Sequence, residues 1–178
     1  MSFLSALPAA TVRFSTVVVP VWMPRRVKRG DIIIPRDHNV FILYWQQRLS
    51  QLDALRPKVA ERVPDRVEEY DAAVGLLRAH VSSMPTVKWG DYVYSDHFNA
   101  RLTAVDLFLN IADFMVSTVL GAPSDLVEML EGIWRLRSTL TVKRSGDIIT
   151  ASDHNALVDI AEACLNLMEM IEQMLTGA

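Results

Sequence analysis

Val27-Lys28-Arg29-Gly30-Asp31-Ile32-Ile33, running on to Asn39, is a phrase that this chain writes three times. It returns as Val87-Lys88-Trp89-Gly90-Asp91-Tyr92-Val93 with Asn99. The third copy is Val142-Lys143-Arg144-Ser145-Gly146-Asp147-Ile148-Ile149 with Asn155, and it carries one inserted residue before its glycine. In every copy the Asn stands nine positions after the Gly, and successive glycines are 60 and then 56 positions apart. A phrase recurring at that interval marks a duplicated supersecondary unit. It speaks to architecture more than to chemistry, because nothing in it spells out a reaction.

Each copy changes period as it proceeds. Gly30, Gly90 and Gly146 suit a turn with positive φ, and the Asp that follows each can bond turn amides. Ile32-Ile33-Ile34, Tyr92-Val93-Tyr94 and Ile148-Ile149-Thr150 are β-branched or aromatic and read as short extended connectors. Pro35-Arg36-Asp37, Ser95-Asp96 and Ser152-Asp153 then open helices, with Ser or Asp placed to cap the first turn. Aligned on the Asn, the apolar stripes coincide: Ile42, Trp45, Leu49, Leu52; Leu102, Val105, Leu109, Ala112; Val158, Ala161, Leu165, Met168. Their 3-4-3 spacing is that of a helix packed along others. In the second copy the stripe continues through Val116 and Val119, which predicts a helix from about Asp96 to Leu120, stopped by Gly121-Ala122-Pro123.

The first two copies each carry a second helix. One starts at Pro64-Asp65 and reaches about Ser83. The other starts at Ser124-Asp125, with Glu128 spaced for a capping box. The fold class is therefore mainly α: a bundle of about five helices built from three internal repeats with short extended connectors and an extended N-terminal arm. The arm is residues 1–24. A single helical domain fills 25–178, with repeats at about 25–84, 85–141 and 142–178.

Composition sets the outer bounds. With 178 residues, 51 % apolar and 22 % charged, the chain can build one full core. A net charge of −3 argues against a surface devoted to nucleic acid. The lone Cys164 excludes an intramolecular disulfide and reads as a small core residue. The apolar start lacks the basic region of a secretion signal, and Pro8, Arg13 and Pro20 interrupt any run long enough to span a membrane. Thr11 to Trp22 reads as extended strand, with Phe14, Val17, Val18, Val19 and Trp22 as the candidate assembly residues of the arm. Such a segment needs cover. Either it lies on its own core or it inserts into a neighbouring subunit.

Three constellations could carry chemistry. Asp37-His38, Asp96-His97 and Asp153-His154 have metal-ligand types. In the second copy, however, the pair is displaced by one position, and helix capping already accounts for an Asp there. The expected metal, cofactor and catalytic residues are none. Asn39, Asn99 and Asn155 can lock each connector onto its own helix, or bond across to another unit; the unvarying spacing favours the local lock. Arg25, Arg26, Lys28 and Arg29 form the densest basic cluster and are the candidate nucleic-acid contacts. The competing reading, which the negative total charge favours, is a solvated or ion-paired turn. No phosphate-binding glycine loop, nucleophile elbow or His-Glu-x-x-His pair is present.

Ser145-Gly146-Asp147-Ile148-Ile149-Thr150-Ala151-Ser152-Asp153-His154-Asn155-Ala156-Leu157 resembles a Gly-Asp-x-Ile-x-Ala-x-Asp-x-Asn-x-Leu module of bacteriophage and archaeal-virus structural proteins. The first copy keeps Gly30, Asp31, Ile33, Asp37 and Asn39 but has Pro35 and Phe41 where the module has Ala and Leu. The resemblance implies a non-enzymatic virion component, such as a capsid, filament or appendage protein. It would associate with itself and with other virion proteins, pass through the host cytoplasm during assembly, and have no membrane span. A nucleoprotein coating viral DNA through the basic turns is the alternative.

Overall fold

The computed structural model describes residues 10–14, 17–21, 23–29 and 33–177. The chain is mainly α. Among the described residues there are five α-helices: α1 (Pro35–Arg62), α2 (Val67–Ser83), α3 (Ser95–Phe114), α4 (Ser124–Ser138) and α5 (Ala151–Thr176). A 3₁₀ turn, Pro64–Arg66, leads into α2, and a π-helical turn, Met115–Val119, extends α3. Ahead of the helices, β1 (Ala10–Phe14) and β2 (Val17–Val21) pair antiparallel, with Val12 opposite Val19. The segment expected as one strand is thus two. Phe14, Val17, Val18 and Val19 lie on this hairpin, and Trp22 lies outside the described residues, as do Gly30 and Asp31.

The stripes read from the sequence are the core. Trp45, Leu52, Leu102, Leu109, Val158 and Met168 are all buried in one cluster, joined by Tyr70, Val74, Leu77 and Val81 of α2 and by Leu126, Leu130 and Ile133 of α4. α2 packs against both α1 and α3, and α4 against both α3 and α5. Trp45 of α1 meets Phe108 of α3 with ring centroids 5.5 Å apart. The hydroxyls of Tyr44 and Tyr70 donate to the Ala161 and Leu52 carbonyls at 2.7 Å, so neither buried phenol is left unpaired. By length and composition Ser95–Val119 could cross a membrane, but 56 % of its most apolar window is buried inside the bundle.

Four helix starts differ from expectation. The N-caps of α1, α3 and α5 are Ile34, Tyr94 and Thr150, each in extended conformation, and not the Ser or Asp residues that follow. At α4, Pro123 takes the N-cap position and no side chain caps it. Ser124 is thereby moved inside the helix, where its hydroxyl bonds Asp125 instead of forming a box with Glu128.

The connector turns follow their sequence. Lys88 to Asp91 and Arg144 to Asp147 close with backbone bonds of 3.0 Å. Gly90 and Gly146 stand third in these turns with φ of 93° and 94°, the conformation that a type II turn requires there. The Asp carboxylates accept from the first amide of each turn, at 3.0 Å for Asp91 and 2.6 Å for Asp147. A Cβ at either glycine would meet nothing within 4 Å, so any cost of adding one is backbone strain alone. Gly90→Ala and Gly146→Ala should each destabilise by about 1–3 kcal/mol in urea titrations. Gly75→Ala and Gly132→Ala, in helix interiors with the same open space, should stabilise by about 0.5–1 kcal/mol. Equal effects at all four would show that φ is not what these turns select for.

Candidate functional site

The three phrases meet at one end of the bundle, and the Asn residues join them. Asn39 at the start of α1 donates from Nδ2 to the Val87 carbonyl at 2.9 Å, and its Oδ1 accepts from the Val87 amide at 3.0 Å. Asn99 does the same to Lys143, at 2.8 and 2.9 Å. Asn155 does it to Val27, both bonds at 2.8 Å. Val27, Val87 and Lys143 each stand three residues before a phrase glycine. Each Asn therefore holds the next connector, and the last returns to the first, closing a ring. The expected lock of each Asn onto its own connector is corrected: a carboxamide offers one donor and one acceptor side by side, which matches a peptide unit of a neighbouring segment.

The residues before each Asn complete the joint. Two positions earlier, Asp37, His97 and Asp153 reach back to the N-cap amides of Ile34, Tyr94 and Thr150 at 3.2, 3.0 and 2.8 Å. What this place needs is an acceptor, and the Nδ1 of a neutral His97 serves as well as a carboxylate. That explains why the Asp-His pair can shift by one position in the second copy. Asp37 also holds Arg25 through two bonds, at 2.5 and 3.0 Å. Asp153 holds Lys143 at 2.8 Å. Burial opposes the Asp153 charge, but the Lys143 ammonium and the two Thr150 donors outweigh it and lower its pKa.

One position before each Asn stand His38, Phe98 and His154, all buried. The His154 Nε2–H donates to the Arg25 carbonyl at 2.9 Å. Phe98 lies under the Lys143 ammonium, 5.7 Å from it. Arg101, 4 % exposed, crosses between units: it donates to the His38 carbonyl at 2.9 Å, to the His97 carbonyl, and lies over the Phe41 ring. Desolvation pulls its pKa down to about 9, so it stays charged at neutral pH. Desolvation first, then the Arg101 charge and His97, pull His38 down to about 2. His154 and His97 are also lowered, again chiefly by desolvation. The cavity enclosed by His38, Phe98, His154, Arg101 and their apolar neighbours is about 10 Å³, the size of one water. It has no room for a substrate. Among the described residues no group of His, Cys, Asp and Glu could hold a metal.

Outside this ring the connector tips bound an open cleft of about 650 Å³, lined by Ile33, Pro35, Trp89, Tyr92, Ile148 and others. Trp89, Ile148 and Tyr92 are 85 %, 80 % and 77 % exposed. Period two explains the split in the second and third connectors: Val93 and Ile149 are half-buried, and Tyr92, Tyr94, Ile148 and Thr150 beside them are exposed. Sequence reasoning read these residues as extended but did not see that one face stays uncovered. Of the basic cluster, Arg25 is tied to Asp37, and Arg26 pairs with Asp159 and Glu162 on α5, so both spend charge inside the fold. Lys28 and Arg29 are exposed. Cys164 is fully buried, and burial pushes its thiol pKa up, away from reactivity.

Comparison with protein-family models, with curated proteins and with solved structures returned no match.

Asn99→Ala leaves an amide and a carbonyl of Lys143 without partners and should cost about 2–4 kcal/mol by urea titration; a loss under about 0.5 kcal/mol would remove the clasp from any structural role. The histidines give a pH signature. The pKa values of His38, His97 and His154 are lower folded than unfolded, so below about 6.5 the unfolded chain takes up protons that the folded chain refuses. Stability should be fully present above that pH and fall on acidification, by at most about 1.4 kcal/mol per pH unit for each histidine. His38→Phe, which copies the second phrase, should flatten the fall between pH 6.5 and 4.5; an unchanged slope would place the proton uptake elsewhere.

Proposed function

We propose that the chain is three copies of one helix–connector unit closed head to tail, and that it is a non-enzymatic structural protein of a virus particle. In this reading it assembles with further copies of itself through its helices and its N-terminal arm. The observation that carries the assembly part is the connector end of the ring. Trp89, Tyr92 and Ile148 expose large apolar surface together, on rigid turns fixed by the glycines and clasps. Large exposed apolar patches on an ordered scaffold mark sites of association. Of the Asp-His pairs, Asp37, His97, Asp153 and His154 are engaged as helix-start braces, clasps or ion pairs. The viral setting rests on the resemblance of the Gly146–Leu157 phrase to the virion module, and a place in the particle follows from it.

The nucleoprotein alternative draws on Arg25, Arg26, Lys28 and Arg29, and the internal pairing of the first two leaves it the weaker reading. The test is assembly state. The purified chain should form particles or filaments visible by electron microscopy and should scatter light in a concentration-dependent way. Trp89→Ser with Ile148→Ser should lower that scattering at least tenfold while leaving the helical circular dichroism unchanged. A chain that stays monomeric at millimolar concentration would overturn the reading. Retention of DNA at low salt that is lost in Lys28→Ala with Arg29→Ala would favour the alternative.

A further inference from the structure

The bundle has three seams between the helices that open the three units, and only two are roofed by a described helix. α2 lies over α1 and α3, and α4 lies over α3 and α5; no described helix bridges α5 and α1 in this way. α2 and α4 are also the segments that lead into the second and third connectors. The segment that leads into the first connector is residues 1–22, which contains the β1–β2 hairpin.

The two sides of the α5–α1 seam carry marks of what belongs there. On α3 and the π-helical turn that extends it, the stripe facing α2 and the 3₁₀ turn before it is fixed by His80 on the Ala100 carbonyl, Tyr70 against Phe114 and Arg66 on Thr118. Helical spacing puts Ile111 in the middle of that stripe. The corresponding residue of α1, aligned on the Asn, is Gln51. It is 6 % exposed, and neither its Nε2 nor its Oε1 has a hydrogen-bond partner. A buried carboxamide with both ends unpaired costs several kcal/mol unless something supplies an acceptor and a donor together. A peptide unit does so, as Val27, Val87 and Lys143 do for the three asparagines. On α5, Arg26 pairs with Glu162, seven residues after Asn155. This copies Arg137 of α4, which pairs with Asp106, seven residues after Asn99. The chain entering the first connector is thus anchored to α5 as α4 is anchored to α3.

We propose that the seam between α5 and α1 is the binding site for the N-terminal arm of a neighbouring copy, whose β1–β2 hairpin would lie along it with Gln51 bonding a strand backbone. A five-residue strand spans about 17 Å, inside the about 25 Å covered by the 17 residues of α2, so the hairpin can lie along a seam of that length. This deepens the assembly reading and rests on it for the source of the arm, a neighbouring copy.

Disulfide trapping in the full chain tests it, in a Cys164→Ala background with helical content checked by circular dichroism. Gln51→Cys, or Gln47→Cys one turn away, is combined in turn with Val12→Cys, Phe14→Cys, Val17→Cys and Val19→Cys. Trp89→Cys, at the connector tips, is the competing acceptor. The expected result is at least tenfold faster oxidation to position 51 or 47 than to 89 for one or more arm positions. A covalent ladder of subunits would mean that a neighbour's arm fills the seam. A cross-linked single chain would keep the seam as the arm's site and overturn arm exchange. Bonding to position 89 instead, or to neither acceptor, would overturn the inference itself.

Discussion

A side-chain amide gripping a peptide unit 44, 48 or 128 positions away is the interaction on which this fold turns. Helices packed by stripes of Leu, Val and Phe could slide or rotate against one another at small cost, since hydrophobic contact is not directional. Two parallel hydrogen bonds of 2.8–3.0 Å are directional. They set the height and rotation of each opening helix against the next connector. Because Asn155 returns to Val27, the register of the third unit also fixes that of the first.

Several other features make sense as requirements of that clasp. The connector must present a bare peptide to the Asn, so it cannot be helical or paired in a sheet. In the second and third connectors the glycine turn reverses the chain after the clasped residue, and Asp91 and Asp147 brace it. The acceptor two positions before the Asn holds the helix start to the connector end, which keeps the Asn facing outward. Arg101 adds a charged bond from the second unit to the first. Its burial is tolerable because it meets the His38 and His97 carbonyls and the Phe41 ring.

Much of this was legible in the sequence. The 3-4-3 stripes give helices whose named residues are the buried ones, and the glycine positions give turns with φ near 93°. The partner of the asparagines was not legible, since local spacing shows that a residue is fixed in place without showing what it touches. The clue was that Asn held its distance from the glycine while the histidines did not. Capping misled in a similar way. Ser124-Asp125 has the composition of a cap, but Pro123 occupies the capping position, and in the other units the acceptor reaches back from the third helical residue. The exposed face of the connectors was hidden because β-branched and aromatic residues look alike whether they face a core or a partner.

Amide hydrogen exchange across the ring tests the clasp most directly. In the native chain the amides of Val27, Val87 and Lys143 should be protected together, to within about tenfold of one another. In Asn155→Ala, protection should collapse at Val27 and also fall at Val87 and Lys143, because opening one joint releases the register of the others. Loss confined to Val27, with the other two amides unchanged, would show three independent contacts and contradict a closed ring.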